Sequence, residues 1–460
     1  MSKISIIIVV ILVLVSCSKQ DHLYNYAFEK TGVSISNRVT KADLLDYFQT
    51  IKQLPPTKAN SISVEPIIEA GDTVMYLANY DNGWELLSAD LRVPRVFAYG
   101  ETGNISVRDL YSNLASSDFF SKLCSGMSDI INDSHFTSPE FFSDSWRNRS
   151  RVDSIDVTIV RVRTVDTLLY DVRYQDHLMS TKWGLRSPWN QYAPFTDYTL
   201  SSRCETGCVP VASAQVLYYL HSLWDVPSSS FSNAYTVAYA PNNSYVNLTC
   251  PGNVVFLNES EDVWDDMPLD STVVYGAGSV STLMVHLGCL YQADYYADGT
   301  YAYTSDAVSV FPNYGISCQG YNLLLSNEPI DDMATIFEEQ IYENQLPVIM
   351  SLAYQDNSSG HCVVVDGYNY RNISIRTTTE YYFTGLDGII QPGQLPDHVS
   401  YSYQNENSTF VAVNWGYNGK GDSINGSTIW YNLFTSWVVT LDHYSNYSSK
   451  RYLVYGFEII

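Results

Sequence analysis

A thiol, an imidazole and a carboxamide stand in this chain in surroundings that suit joint action on a carbonyl carbon. Cys208 opens a segment in which Val209, Ala212, Val216 and Leu220 fall at helical spacing. Pro210 lies in its first turn, where no backbone donor is needed. The positive end of a helix favours a thiolate, the form in which a cysteine is nucleophilic. His361 follows Gly360 at the head of an apolar run, Cys362 to Tyr368, and supplies a base. Asn414 offers an amide to accept a hydrogen bond from the imidazole, and Trp415 an indole to shield that bond from water. Such a set removes a thiol proton, attacks a carbonyl and returns the proton to the leaving group.

The elements that must position these groups come in a definite order. Helices are predicted over 208–220, 280–290 and 330–344, and strands over 347–352, 362–368, 410–415, 429–433 and 451–460. Helices first and strands afterwards predict an α+β domain, not alternating βαβ units. Earlier in the chain, Thr73–Asn79 and Trp84–Ala89 alternate apolar and polar residues around Asp81-Asn82-Gly83, a hairpin turn signal. A third strand is expected at 93–99, a helix at 41–53, a charged break at 147–151 and a further strand at 157–162, followed by a connection rich in Asp and Arg.

At 460 residues two or more domains are expected. A formal net charge of -24 argues against a nucleic-acid partner, for which a basic footprint is required. Lys3 precedes an apolar run, Ile4 to Val15, too short to span a bilayer and laid out as a secretion signal. It ends in Leu14-Val15-Ser16-Cys17, which resembles the lipobox of bacterial lipoproteins, so lipidation of Cys17 is expected. Seven further cysteines follow, an odd number, which leaves at least one thiol unpaired. No Cys-x-x-Cys pair with matching His spacing occurs, and neither a metal nor another cofactor is expected. Cys204 falls before the helix and reads as a structural thiol; Cys362 reads as core, His286 as packing, His221 as a solvated cap, and Asp366 as a partner for a buried backbone group.

Several motifs together resemble the streptopain family of papain-like cysteine peptidases. Thr206-Gly207-Cys208-Val209, with Ala212 and Ala214-Gln215, is similar to the nucleophile motif of that family. Gly360-His361 running into Val365-Asp366-Gly367-Tyr368 is similar to its histidine motif, and Val413-Asn414-Trp415-Gly416 with Gly419 to its Asn-Trp loop. Thr181-Lys182-Trp183-Gly184 through Pro188-Trp189-Asn190 and Pro194 resembles its lead-in segment, and Leu283-Met284 with Leu287-Gly288 and Ala293-Asp294-Tyr295 a later helix. The 153 residues from Cys208 to His361 lie near the roughly 130–150 of papain-like enzymes. Upstream, Val74 to Tyr99, above all Trp84–Asp90 and Pro94–Tyr99, resembles the inhibitory prodomain of the family.

The resemblance implies a papain-like catalytic domain over 173–460, behind a lipoprotein signal (1–16), a lipid-anchored tether with a helix (17–60), and an inhibitory prodomain with its activation linker (61–172). It implies a cysteine endopeptidase made as a self-inhibited zymogen, with protein or peptide substrates, its own prodomain as inhibitor, and a membrane reached through the lipid anchor alone, at the outer membrane or cell surface of a bacterium. Catalysis would fall to Cys208, His361, Asn414 and Trp415. One position departs from the pattern: the family usually has Gln, an oxyanion donor, where this chain has Leu185. Such a donor is worth roughly 2.7–4 kcal/mol. Gln191, six residues on, is the candidate substitute. Leu185 also motivates the alternative of a weakened, peptidase-like surface binding protein, and transpeptidase or amidase chemistry would use the same triad.

Overall fold

The computed structural model describes residues 37–48, 62–133, 159–226, 246–247, 264–323, 329–353, 360–383, 395–433 and 452–460, less a few positions within these stretches. The apolar leader, Cys17, most of the tether, the 147–151 break and Cys250 lie outside the described residues. Residues 39–460 form one compact unit.

Four antiparallel strands open it: β1 (Ser63–Glu69), β2 (Asp72–Tyr80), β3 (Gly83–Ser88) and β4 (Val96–Gly100). The two strands of the expected hairpin pair as far as Tyr80 with Gly83; Asp81 and Asn82 lie outside the described residues. Every residue of β3 is buried, because the sheet is covered on both faces. On one face α1 (Val107–Ser112) and α2 (Leu114–Asn132) follow; α2 turns Phe120, Leu123, Met127 and Ile130, at helical spacing, into an apolar cluster with Val74 and Leu77. On the other, Val39, Leu44, Tyr47 and Phe48 cover Ala78 and Leu87. Burying one such side chain contributes about 1.5–3 kcal/mol, so both covers are substantial. Neither β1 nor the two helices is predicted from the sequence. Pro66 and the polar edge positions of β1 hide its period, and the many serines of α2 weaken its signal.

The remaining elements are β5 (Ile159–Gln175), α3 (Cys208–Trp224), the short β6 (Val246–Asn247), α4 (Ala277–Leu290), the hairpin β7 (Asp294–Tyr296) and β8 (Gly299–Tyr301), β9 (Ile316–Asn322), α5 (Pro329–Phe337), β10 (Val348–Ala353), β11 (Gly360–Phe383), β12 (His398–Asn414), the small ribbon β13 (Ser423–Ile424) and β14 (Ser427–Thr428), β15 (Trp430–Asn432) and β16 (Tyr452–Ile459). Helices come first and an antiparallel sheet after, which is the expected α+β class.

A single sheet runs β1-β2-β3-β4-β15-β12-β11-β10-β16-β9, with β5 added alongside β11. Its two halves meet where β4 pairs with β15, Trp430 opposite Tyr99 and Tyr431 opposite Ala98. Asn369 and Arg371 both donate to the Tyr99 hydroxyl, at 2.6 and 2.9 Å, and Arg371 also pairs with Glu101. The N-terminal sheet is thus a continuation of the sheet that carries His361.

Three strands exceed the apolar cores that announce them. β11 continues fifteen positions past Tyr368, β12 begins before Phe410, and β5 makes one strand of both the 157–162 segment and the Asp/Arg-rich connection. β5 pairs with β11 from Gln175–Tyr368 to Ile159–Phe383. Backbone pairing carries these arms: beyond Tyr368, β11 lies between β12 and β5, each of which pairs there with β11. The anticipated boundary at 172/173 falls inside β5.

Candidate active site

The turn into α3 requires a glycine. Gly207 has φ +93°, and a Cβ there would stand 3.0 Å from Thr300 Cγ2 and 3.2 Å from Pro210 Cδ. Thr300, on β8, also donates to the Glu205 carbonyl at 2.6 Å, so the β7–β8 hairpin braces the start of the helix. Ten of the seventeen residues of α3 are buried, so the helix has no free face along which to shift.

Cys208 keeps partial exposure at the head of this helix. Surrounding protein pushes its thiol up from the ordinary cysteine value; the backbone N–H groups of Cys362, Val209 and Cys208 itself act in the opposite direction. Two of those donors are the free N–H groups of the helix start. The third belongs to the residue after His361, which brings the sulfur to the head of β11. Burial is the largest of these effects, so the thiol lies above its ordinary value.

His361 lies at the second position of β11, opposite Leu352 of β10. Its Nε2 is 2.9 Å from the Trp415 carbonyl oxygen. A carbonyl only accepts, so Nε2 carries the proton, and in the neutral ring the lone pair is on Nδ1. Two aromatic rings stack on the imidazole, Tyr417 at 4.9 Å and Trp415 at 6.3 Å between centroids. Tyr417 is absent from the sequence prediction; its place three residues after Asn414 is the only signal it leaves.

Asn414 has a different role from the one expected of its amide. It forms a reciprocal amide pair with Gln215, both bonds 3.1 Å, donates to the Thr181 carbonyl at 2.8 Å and accepts the Gly416 N–H at 3.1 Å. Gln215 also accepts the Trp183 N–H. These buried amides tie α3, the lead-in segment and the end of β12 together, and they leave the backbone carbonyl of the next residue to hold the imidazole. The Asn414 side chain is committed because its neighbourhood is sealed from water, where every polar atom must find a partner.

The lead-in segment passes close by. Gly184 bridges to Tyr417, and the Leu185 carbonyl accepts the Thr206 N–H at 3.0 Å, two residues before the nucleophile. The Leu185 side chain is buried among Trp183, Trp189 and Val209 and offers no donor. Gln191 is exposed, with its amide oxygen beside Gly278 at the start of α4. Nearby, Thr300 borders Gly207, and Asn418 accepts from Trp189 Nε1 at 2.6 Å.

The other cysteines and histidines divide as follows. Cys204 is buried with Val285 and Cys289, its thiol pushed up by burial to about 11, in keeping with a structural thiol. Cys362 is buried, but its thiol also faces Cys208 and Thr304, closer to the nucleophile than a purely core residue. His286 is buried against Tyr314, and burial lowers it to about 4. His221 is stacked on Trp264 and bonded to the Val226 carbonyl, so it is less solvated than expected. The carboxylate of Asp366 does pair with a buried backbone group, the Met179 N–H at 3.0 Å, and also with His177. No cluster suited to a metal occurs among the described residues.

Residues 183–424 match the model of the peptidase C10 family, and all of Cys208, His361, Asn414 and Trp415 fall in that span. Among solved structures, a fragment of Prevotella intermedia prointerpain A is 17% identical with a TM-score of 0.48, covering 86% of this chain and 99% of its own. The active wild-type interpain A cysteine protease of the same organism is 19% identical with a TM-score of 0.35, covering 62% of this chain and 96% of its own. No curated protein matches.

Proposed function

The chain belongs to the peptidase C10 family and is a cysteine peptidase, and from that premise we propose that it is an endopeptidase made as a latent, lipid-anchored precursor, with Cys208 as nucleophile and His361 as its base. The observation that carries the assignment of residues is the seating of the Cys208 thiol against the N–H of Cys362, the residue next to His361.

Nδ1 of His361 takes the thiol proton, and the sulfur attacks the peptide carbonyl. The oxyanion meets the Cys208 N–H at the helix start, with Gln191 on the exposed lip as the side-chain candidate for a second donor. The S–C bond forms, the C–N bond breaks, and the imidazolium gives its proton to the departing amine. Water then attacks the thioester, releasing the acid and returning the proton to sulfur. Trp415 takes part twice, its carbonyl orienting Nε2–H and its ring shielding that bond. Asn414 positions the Trp415 peptide through Gln215 and Thr181.

Latency is supported by the N-terminal sheet joined to the catalytic one through β4 and β15, next to the strand that ends in Asn414. The prodomain with its linker is taken as 61–172 and the peptidase domain as 173–460, with cleavage after the prodomain freeing the site. The leader and Cys17 support anchoring at the cell envelope; no helix among the described residues is long and apolar enough to cross a membrane.

A thiol-alkylating peptide probe should label Cys208 in processed protein and far more slowly in the precursor. Casein cleavage that survives Cys208→Ala would overturn the assignment.

A further inference from the structure

Next to the Trp415 peptide lies a group of three ionisable side chains that the reaction does not touch, Asp366 and Asp422 buried and His177 21% exposed. His177 Nδ1 is 2.8 Å from Asp366 Oδ1, and Asp366 is fully buried. The Asp422 carboxylate, also buried, accepts the Trp415 N–H at 2.9 Å. The carbonyl of the same residue holds His361 Nε2 at 2.9 Å. His177 is in contact with Asp366 and acts on Asp422 through space, and Asp422 holds the residue whose carbonyl holds the catalytic ring.

We propose that His177 is a positioning residue for the peptidase reaction, an imidazolium that keeps Asp422 ionised so that its carboxylate fixes Trp415 and, through the Trp415 carbonyl, the orientation of His361. The inference rests on the assignment of His361 as base.

A buried carboxylate such as that of Asp422 is kept ionised by donors and by a nearby cation. The groups acting on Asp422 are the Trp415 N–H, His177, Asp366 and Lys182; burial and Asp366 raise it, the other three lower it, and the balance lies at about 7. Those acting on His177 are Asp366, Asp422 and Asp176; burial works against the imidazolium, the three carboxylates prevail, and the balance lies at about 9. Near neutrality His177 is thus charged and Asp422 is at its tipping point. A protonated Asp422 is a poorer acceptor for the Trp415 N–H, since hydrogen bonds to ionised groups are about twice as strong as neutral ones. His177 Nε2 is buried with no protein partner among the described residues, so in this structure its bond to Asp366 is the contact that holds the ring.

The test uses processed protein, a fluorogenic peptide that the wild type cleaves, and the pH profiles of kcat/KM and of Cys208 alkylation by iodoacetamide. His177→Gln keeps a donor for Asp366 but removes the charge. Its acid limb should move up by about one pH unit, in both profiles, with kcat lowered and KM within about twofold. His177→Lys, which returns the charge, should move the limb back. Asp422→Asn is of the same size and cannot ionise; it should remove the limb and hold kcat at the level the wild type shows on the acid side. A His177→Gln profile superimposable on the wild type would overturn the proposal. So would an equal loss at every pH that His177→Lys does not repair, because that is what a merely structural histidine gives. Should His177→Gln fail to fold, the Asp422→Asn profile decides by the same readout, an unchanged acid limb counting against the proposal. A wild type with neither turnover nor Cys208 alkylation would instead remove the peptidase assignment, and this inference with it.

Discussion

The two sides of the catalytic cleft are built from opposite materials. Cys208 stands on a helix packed against Trp183, Val280, Leu283 and Met284, and its sulfur is set by backbone donors whose geometry is independent of pH. His361 stands on a strand that is itself apolar, but its ring is held by the Trp415 carbonyl, behind which lie the Asn414–Gln215 amide pair and the side chains of Asp366, Asp422 and His177. A packed apolar side resists change until it is broken. A hydrogen-bonded, titratable side can be adjusted by protons, which suits the half of the pair that must carry one.

Breaking the helix side has the largest effect. Cys208→Ala should leave folding intact and reduce peptide cleavage to the detection limit, as read by turnover and by the loss of probe labelling. Cleavage that persists would place the chemistry on the other side altogether.

The seam between the two sides comes next. Gln215→Ala removes two of the four hydrogen bonds of the Asn414 amide and the acceptor of the buried Trp183 N–H, and an unsatisfied buried polar group costs about 1–3 kcal/mol. Its Tm should fall accordingly, and kcat should fall with it because the Trp415 peptide loses its anchor. A Tm drop with unchanged kcat would show that the imidazole does not depend on the amide pair.

The charged cluster predicts a pH dependence of stability confined to the histidine side. His177 is raised to about 9, so its stabilising effect is complete below the unfolded value near 6.5 and is lost as pH rises through about 9. Asp422 is raised to about 7, so it favours the fold most below about 4 and loses that contribution as pH rises toward 7. Both groups act in the same direction. Chemical denaturation from pH 6.5 to 9 should show falling stability, and His177→Gln should flatten the decline. A decline that His177→Gln leaves unaltered would assign it to other groups.

The smallest change is expected at the lip. Gln191→Ala should lower kcat by less than about tenfold, below the roughly 10²-fold of a preorganised oxyanion donor, because an exposed amide is already hydrogen-bonded to water. A loss of 10²-fold or more would mean that the side chain is drawn into the site by substrate.

Legibility in the sequence follows the same division. Segments whose order comes from burial are visible as periods: the helix after Cys208, the hairpin at Asp81-Asn82-Gly83, and the apolar heads of β11 and β12. Those that extend as backbone-paired arms, such as the outer parts of β11 and β12 and the β5 strand paired to β11, are not announced by an apolar period. Cys208, His361 and the Asn414-Trp415 dipeptide stand out because their types are suited to one chemistry. Their partners do not: a carbonyl such as that of Trp415 has no signature in residue type, and His177 and Tyr417 are ordinary residues until the fold brings them in.

Residue type and local spacing by themselves determined the α+β class, the nucleophile at a helix start, the histidine at a strand head, and a family resemblance that the match over 183–424 bears out. Tertiary structure alone decided who holds whom: that Asn414 spends its amide on Gln215, that the Trp415 carbonyl takes the imidazole, that His177 lies against Asp366, and that Asp422 takes the Trp415 N–H. Periodicity depends on which face of an element avoids water, a property of neighbours in the chain. Hydrogen bonds and buried charges are settled between segments more than a hundred residues apart, once desolvation obliges each polar group to find whatever partner the packing has placed beside it.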